Sequence, residues 1–184
     1  MIKQLLSRLE ESPVIAAVRD GGKGVKDAPC EVIFDLGANI MTVSSVIDDA
    51  HKCGKLIFIH IDLADGIGRD RAGIAYLKSI GADGIISTKT ALLRYAKEFS
   101  LLTVKRIFLL DSQGVEGAIN EIDRHSTDLI EIMPGIMPKM VQRFSGLGIP
   151  VIAGGLIETK AEITSSLSSG AVAVSTGKEE LWYV

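Results

Sequence analysis

The apolar residues of this chain come in short unbroken runs closed by small or charged residues, and between the runs they recur at helical spacing. Ile2, Leu5, Leu6 and Leu9 predict an opening helix that stops before Ser12-Pro13, placed to cap one end of a barrel. The runs predict strands at 14–18, 32–36, 56–61, 84–86, 103–110, 129–132, 151–153 and 171–174. Ile47, Ala50 and His51 mark a helix ending near Cys53-Gly54; Ile74, Leu77 and Ile80 mark another closed by Gly81, and 91–99 a third. Asp111-Ser112 reads as a helix N-cap. The first crossover is a poor helix former, because GGKGVKDAP at 21–29 holds three glycines and a proline. Strands that read as continuous apolar runs suit a parallel sheet covered on both faces. Eight strand-and-turn units at this spacing predict an α/β fold, a compact (β/α)8 TIM barrel, as one domain over residues 1–184.

Residues 149–182, IPVIAGGLIETKAEITSSLSSGAVAVSTGKEELW, supply the last two units. In a parallel barrel the loops after these strands can form a phosphate cup: small residues let backbone N–H groups approach an oxyanion, and a helix N-terminus adds positive potential. Gly154, Gly155, Ser175, Thr176 and Gly177 are therefore the candidate phosphate-binding residues. The same residue types also make ordinary strand-to-helix turns, so the motif stands beside a plainer reading.

Polar side chains that interrupt apolar strands carry the remaining signal, since all strand ends share one rim. Period-two alternation puts His60 and Asp62 on one face, and the mouth suits them better than the apolar helix side. Arg19, Asp35, Arg106 and Glu131 can point inward by the same parity. Lys105 and Arg106 cannot both do so, which leaves Lys105 near the strand start in solvent. Each position has a structural alternative: His60 as a core histidine, Glu131 with Arg106 as an ion pair plugging the barrel, Lys89 and Asp65 as solvated loop residues. A small polyol phosphate fits a rim with N–H groups at one side and carboxylates at the other.

Composition narrows the class further. A chain of 184 residues with 47% hydrophobic content buries one substantial core. A net charge of −3 gives no general electrostatic reason to bind nucleic acid or an anionic membrane. Cys30 and Cys53 lack metal-ligand spacing and read as reduced thiols; no signal peptide or bilayer-length apolar run is present, and the expected location is cytoplasmic. His51 and His125 fall on predicted helices, leaving one histidine at the rim. No metal or cofactor is implied. Leu181-Trp182-Tyr183-Val184 is an apolar end that packs on the barrel or joins copies into a homo-oligomer.

Seven blocks carry a resemblance: VIAAVRD (14–20), HIDLADGI (60–67), ADGIISTK (82–89), RIFLLDS (106–112), IEIMPGIMPK (130–139), PVIAGGLIETKAEI (150–163) and AVAVST (171–176). In order and spacing the chain resembles the glycerol uptake operon antiterminator regulatory protein family. The resemblance implies a TIM-barrel regulator, without a catalytic role, that responds to glycerol 3-phosphate and prevents transcription termination in the leader mRNA of glycerol utilisation genes. No RNA-binding signature accompanies it: Lys23, Lys26, Lys52, Lys55, Lys139 and Arg143 are scattered, and no aromatic stacking platform is visible. Asp35 in FDLG, where an apolar residue is expected, and the glycine-rich crossover depart from the pattern near the mouth. The competing class is a barrel enzyme acting on a small phosphorylated polyol or sugar. There Glu131 or Asp62 would act as base, His60 as proton donor and Lys89 as a Schiff-base lysine, or Asp35, Asp62 and Glu131 would hold a divalent cation.

Overall fold

The computed structural model describes residues 1–183. Helix α1 (Ile2–Glu11) leads into β1 (Val14–Val18), followed by β2 (Val32–Asp35), α2 (Val43–Lys52), β3 (Leu56–His60), α3 (Arg71–Ser79), β4 (Gly84–Ser87) and α4 (Thr90–Glu98). Then come β5 (Leu102–Phe108), α5 (Ser112–Asn120), β6 (Leu129–Met133), α6 (Pro138–Ser145), β7 (Val151–Gly154), α7 (Lys160–Ser168) and β8 (Ala173–Thr176). Neighbouring strands pair in parallel all the way round, and β1 pairs with β8, so the sheet closes into the predicted barrel.

Strand parity divides the core in two. Ile15, Val32, Phe34, Phe58, Val104, Leu129 and Ile152 fill the barrel, and Leu5 and Leu9 of α1 plug its amino end. The alternate residues, among them Ile33, Ile57, Ile85, Ile130 and Val174, pack outward under the helices. Inside, Phe34 and Phe58 meet with ring centroids 5.5 Å apart. Gly84 makes this possible, because a Cβ there would lie 2.3 Å from the Phe58 ring.

The first crossover has no regular helix, as its glycines predict. Its order comes from elsewhere. The buried Lys55 ammonium donates to the carbonyls of Val25 (2.5 Å), Ala28 (2.6 Å) and Lys26 (3.1 Å). Trp182 packs over Gly24, whose positive φ of 88° leaves the ring 3.2 Å from where a Cβ would sit. Leu181 and Trp182 are thus buried on the barrel and only Tyr183 of the described terminal residues is exposed; Val184 lies outside the described residues.

Several predicted boundaries move. β5 ends at Phe108 instead of 110, and β3 ends at His60 before a single 3-10 turn, Ile61–Leu63. β8 lies two residues later than predicted, so Ser175 and Thr176 belong to the strand and not to the turn. Their hydroxyls are satisfied there, by Glu131 inside and the Ile157 carbonyl outside. His125 sits in the turn after α5 instead of on a helix. Lys105 is not solvated at the strand start: it is buried on the outer face of β5, and its ammonium donates to the Thr88 carbonyl (2.6 Å) and the Thr90 hydroxyl (3.1 Å). Cys30 and Cys53 are both free, and no helix among the described residues is long and apolar enough to cross a membrane.

Candidate functional site

The carboxyl ends of the strands open into a cavity of about 510 Å³. Ala17, Arg19 and Leu36 line one side, Arg106, Glu131 and Met133 the floor, and 155–158 with 175–178 the adjoining wall. Seven of the lining residues are among those the sequence nominates around the phosphate cup and rim: Arg19, Arg106, Glu131, Gly155, Ser175, Thr176 and Gly177.

The wall is built for an anion by its loops. The N–H groups of Leu156 and Gly177 donate to no acceptor among the described residues, although both residues line the cavity. Unpaired backbone donors beside a pocket need water or a ligand. The turn is left-handed at Gly155 (φ 70°) and again at Leu156 (φ 58°), and a Cβ on Gly155 would lie 2.8 Å from the Met133 methyl. Arg19 and Lys178 add positive charge on either side; Lys178 Nζ also donates to the Glu158 carbonyl at 3.1 Å, tying the β8 loop to the β7 loop. Helix termini contribute less than the sequence suggests. The start of α7 is closed by its own capping box between Thr159 and Glu162, with Glu158 and Thr159 N–H groups both on the Glu162 carboxylate, and β8 leads only to a short 3-10 turn, Glu179–Leu181.

The floor is a buried charged pair. Arg106 and Glu131 are register partners on β5 and β6, 5% and 0% exposed, with Arg106 Nε 2.6 Å from Glu131 Oε2. The Ser175 hydroxyl donates to Glu131 Oε1 at 2.6 Å. Gly154 is not on the cavity wall. Its role is beneath it: a Cβ at 154 would lie 2.6 Å from both Glu131 Oε1 and Ser175 Oγ, so glycine there leaves room for their hydrogen bond.

Three nominated rim residues lie off the wall. His60 has the interior parity expected, but is buried beside Arg106 and Asp62 and does not line the cavity, and its Nδ1 has no hydrogen-bond partner among the described residues. Burial lowers its pKa to about 4, with Arg106 adding to the effect and Asp62 opposing it, so it is neutral at pH 7. Asp62 accepts from the Ser87 hydroxyl (2.8 Å) and from the Thr88 N–H (2.7 Å) and hydroxyl (2.9 Å), which joins the β3 and β4 loops. Burial pushes that carboxyl up, but these donors outweigh it and hold it below the usual range. Asp35 corrects the parity expectation outright. Phe34 takes the interior position, so Asp35 pairs with outward-facing Ile59 and points away from the mouth. It is fully buried; Oδ1 accepts from the Gly37 N–H at 2.9 Å, Oδ2 has no partner among the described residues, and burial raises its pKa. Asp35, Asp62 and Glu131 therefore do not converge, and no cluster of metal-ligating side chains is found among the described residues.

Lys178, Glu158 and Leu156 line the cavity without having been singled out from the sequence. Lys178 follows the Ser-Thr-Gly motif directly, a signal that position alone offers. Around the mouth, Ile40, Met41, Leu63, Phe108, Leu110, Ile136, Met137 and Leu156 are exposed on the strand-end loops. Such a rim is apolar and mixed in charge, unlike the basic stripe of an electrostatic RNA surface.

Comparison with known proteins places this geometry in a family. The model of the glycerol-3-phosphate responsive antiterminator family matches residues 14–182. An uncharacterised Escherichia coli K12 protein, YgcP, is 35% identical over 182 residues, covering 97% of this chain and 95% of that one. The crystal structure of the glycerol uptake operon antiterminator regulatory protein from Listeria monocytogenes superposes with a TM-score of 0.86 at 32% identity, covering 92% of this chain and 94% of that one. A glycerol uptake operon antiterminator-related protein from Thermotoga maritima gives 0.85 at 32% identity, with 94% and 99% covered. Orotidine 5'-phosphate decarboxylase from Pyrococcus horikoshii, at 16% identity and a TM-score of 0.68 over 93% and 91% of the two chains, shares the barrel fold alone. With its sequence matched from the first strand to Trp182, and its barrel shared with both antiterminator structures, the chain belongs to the glycerol-3-phosphate responsive antiterminator family.

Proposed function

We propose that this protein is a ligand-responsive regulator that binds glycerol 3-phosphate in the mouth of its barrel and, in that state, acts on leader mRNA to prevent termination in glycerol uptake or utilisation genes, in the cytoplasm. The observation that carries the ligand half is the pair of unpaired N–H groups at Leu156 and Gly177 beside the Gly155 turn, flanked by Arg19 and Lys178 and facing the Glu131 floor. A phosphate suits the N–H groups and cations, and the glycerol hydroxyls suit the carboxylate. Ser175 and Thr176 act as strand residues that shape this wall. The RNA half rests on family membership.

The enzymatic alternative draws no specific support. Of its proposed groups only Glu131 lies on the cavity wall, and that carboxylate is already paired; Lys89 occupies the N-cap position of α4. One experiment tests the proposal: transcription in vitro through a glycerol-operon leader terminator, with protein and glycerol 3-phosphate added singly and together, and the ligand analysed for chemical change. Read-through that requires both, with the ligand recovered intact, is the expected result. Ligand turnover without read-through overturns it.

A further inference from the structure

The floor of the cavity is a donor and acceptor pair fixed from below. Glu131 Oε1 is engaged by Ser175 and Oε2 by Arg106, one protein donor to each oxygen. A carboxylate oxygen accepts more than one hydrogen bond, so both retain capacity toward the cavity that Glu131 lines. Arg106 bonds the protein through Nε; its two terminal nitrogens donate to nothing among the described residues, and Arg106 lines the same cavity. Gly154 leaves the space in which this arrangement assembles.

We infer that Glu131, set against Arg106, makes the cavity select the alcohol form of a three-carbon phosphate ester over the corresponding ketone and carboxylic acid. The inference rests on the phosphate-ester reading above and adds that the groups on the two carbons that do not carry the phosphate decide specificity. A hydroxyl both donates and accepts, so it satisfies Glu131 and Arg106 together. A carbonyl in its place accepts from Arg106 but offers Glu131 nothing. A carboxylate brings a second negative charge against the buried Glu131 carboxylate, where repulsion is stronger than in free solvent. Buried polar groups left unpaired by the wrong ligand are what give hydroxyl-reading sites their large discrimination.

Calorimetric titration of the wild-type protein with glycerol 3-phosphate, dihydroxyacetone phosphate, 3-phosphoglycerate and inorganic phosphate tests this. Glycerol 3-phosphate is expected to bind about 10-fold or more tighter than the ketone and about 100-fold or more tighter than the acid. In Glu131→Gln, which keeps the shape and removes the charge, the gap to 3-phosphoglycerate should shrink to under about 10-fold while inorganic phosphate affinity stays within about twofold. If that variant fails to fold by circular dichroism, the wild-type ranking alone decides. Wild-type affinities for all three esters within about threefold of one another overturn the inference and leave the phosphate cup standing. Failure of all four ligands to bind overturns both.

Discussion

Arg106 and Glu131 face each other across adjacent strands, 2.6 Å apart and almost wholly enclosed, at the point where the apolar interior of the barrel gives way to its open mouth. Below them lie Phe34, Phe58 and Val104; above them lies the cavity. Removing one partner leaves the other charge buried without compensation. Glu131→Ala should therefore cost about 3–5 kcal/mol and lower the melting temperature by on the order of 10 °C. The double variant Arg106→Met/Glu131→Leu should recover most of that stability while losing ligand binding. Denaturant melts of both variants check this; equal destabilisation of single and double variants would show that the pair is not acting as a unit.

His60 gives the protein a defined response to acid. Its folded pKa, depressed by burial to about 4, lies below the ordinary value of 6.5, so the unfolded chain takes up a proton that the folded one refuses. Stability falls as pH drops from 6.5 toward 4, by roughly 3 kcal/mol if the full shift is realised, and this group removes nothing further below that range. The comparison to make is the unfolding free energy of wild type and His60→Gln between pH 4 and 7. The difference between them should narrow steadily toward acid; a constant difference would mean that His60 is not held neutral.

Asp35 should be dispensable to ligand. It faces the helices, not the cavity, and its Oδ2 is unsatisfied among the described residues. Because burial raises its pKa, the ionised form destabilises the fold at pH 7, and stability from this group is lost as pH rises through its folded pKa. Asp35→Asn should leave glycerol 3-phosphate affinity within about twofold and change stability at pH 7 by no more than about 1 kcal/mol in either direction. A large loss of affinity would place Asp35 in the site after all.

Much of this was legible in the chain because parallel buried strands declare themselves as apolar runs, and eight of them at βα spacing leave few architectures. The two loops that line the cavity were legible because AGG and STG sit where a barrel's last two loops must be. What failed was parity: without the register, Asp35 in FDLG reads equally well inward or outward, and only Phe34 packing on Phe58 inside the barrel settles which. Lys105 failed for a related reason, since no sequence pattern tells that a loop carbonyl at Thr88 will fold back over an outward lysine. Gly154 was nominated for the wrong job, because its contact with Glu131 and Ser175 joins three strands far apart in sequence. Lys178 was in plain view after the Ser-Thr-Gly motif, but a lone lysine in a loop carries no spacing by which to distinguish it from a solvated one.

Whether an anion occupies the β7 and β8 loops is read most plainly from the affinities of wild type and Gly155→Asp for glycerol 3-phosphate. Position 155 tolerates aspartate conformationally better than most residues, since its φ of 70° suits a short polar side chain, and circular dichroism would confirm the fold. Wild type should show saturable one-to-one binding that glycerol does not reproduce, and the variant a loss of about 100-fold or more, because a fixed carboxylate there meets the phosphate. Undiminished binding by Gly155→Asp, or no binding by the wild type, would contradict an anion site in these loops.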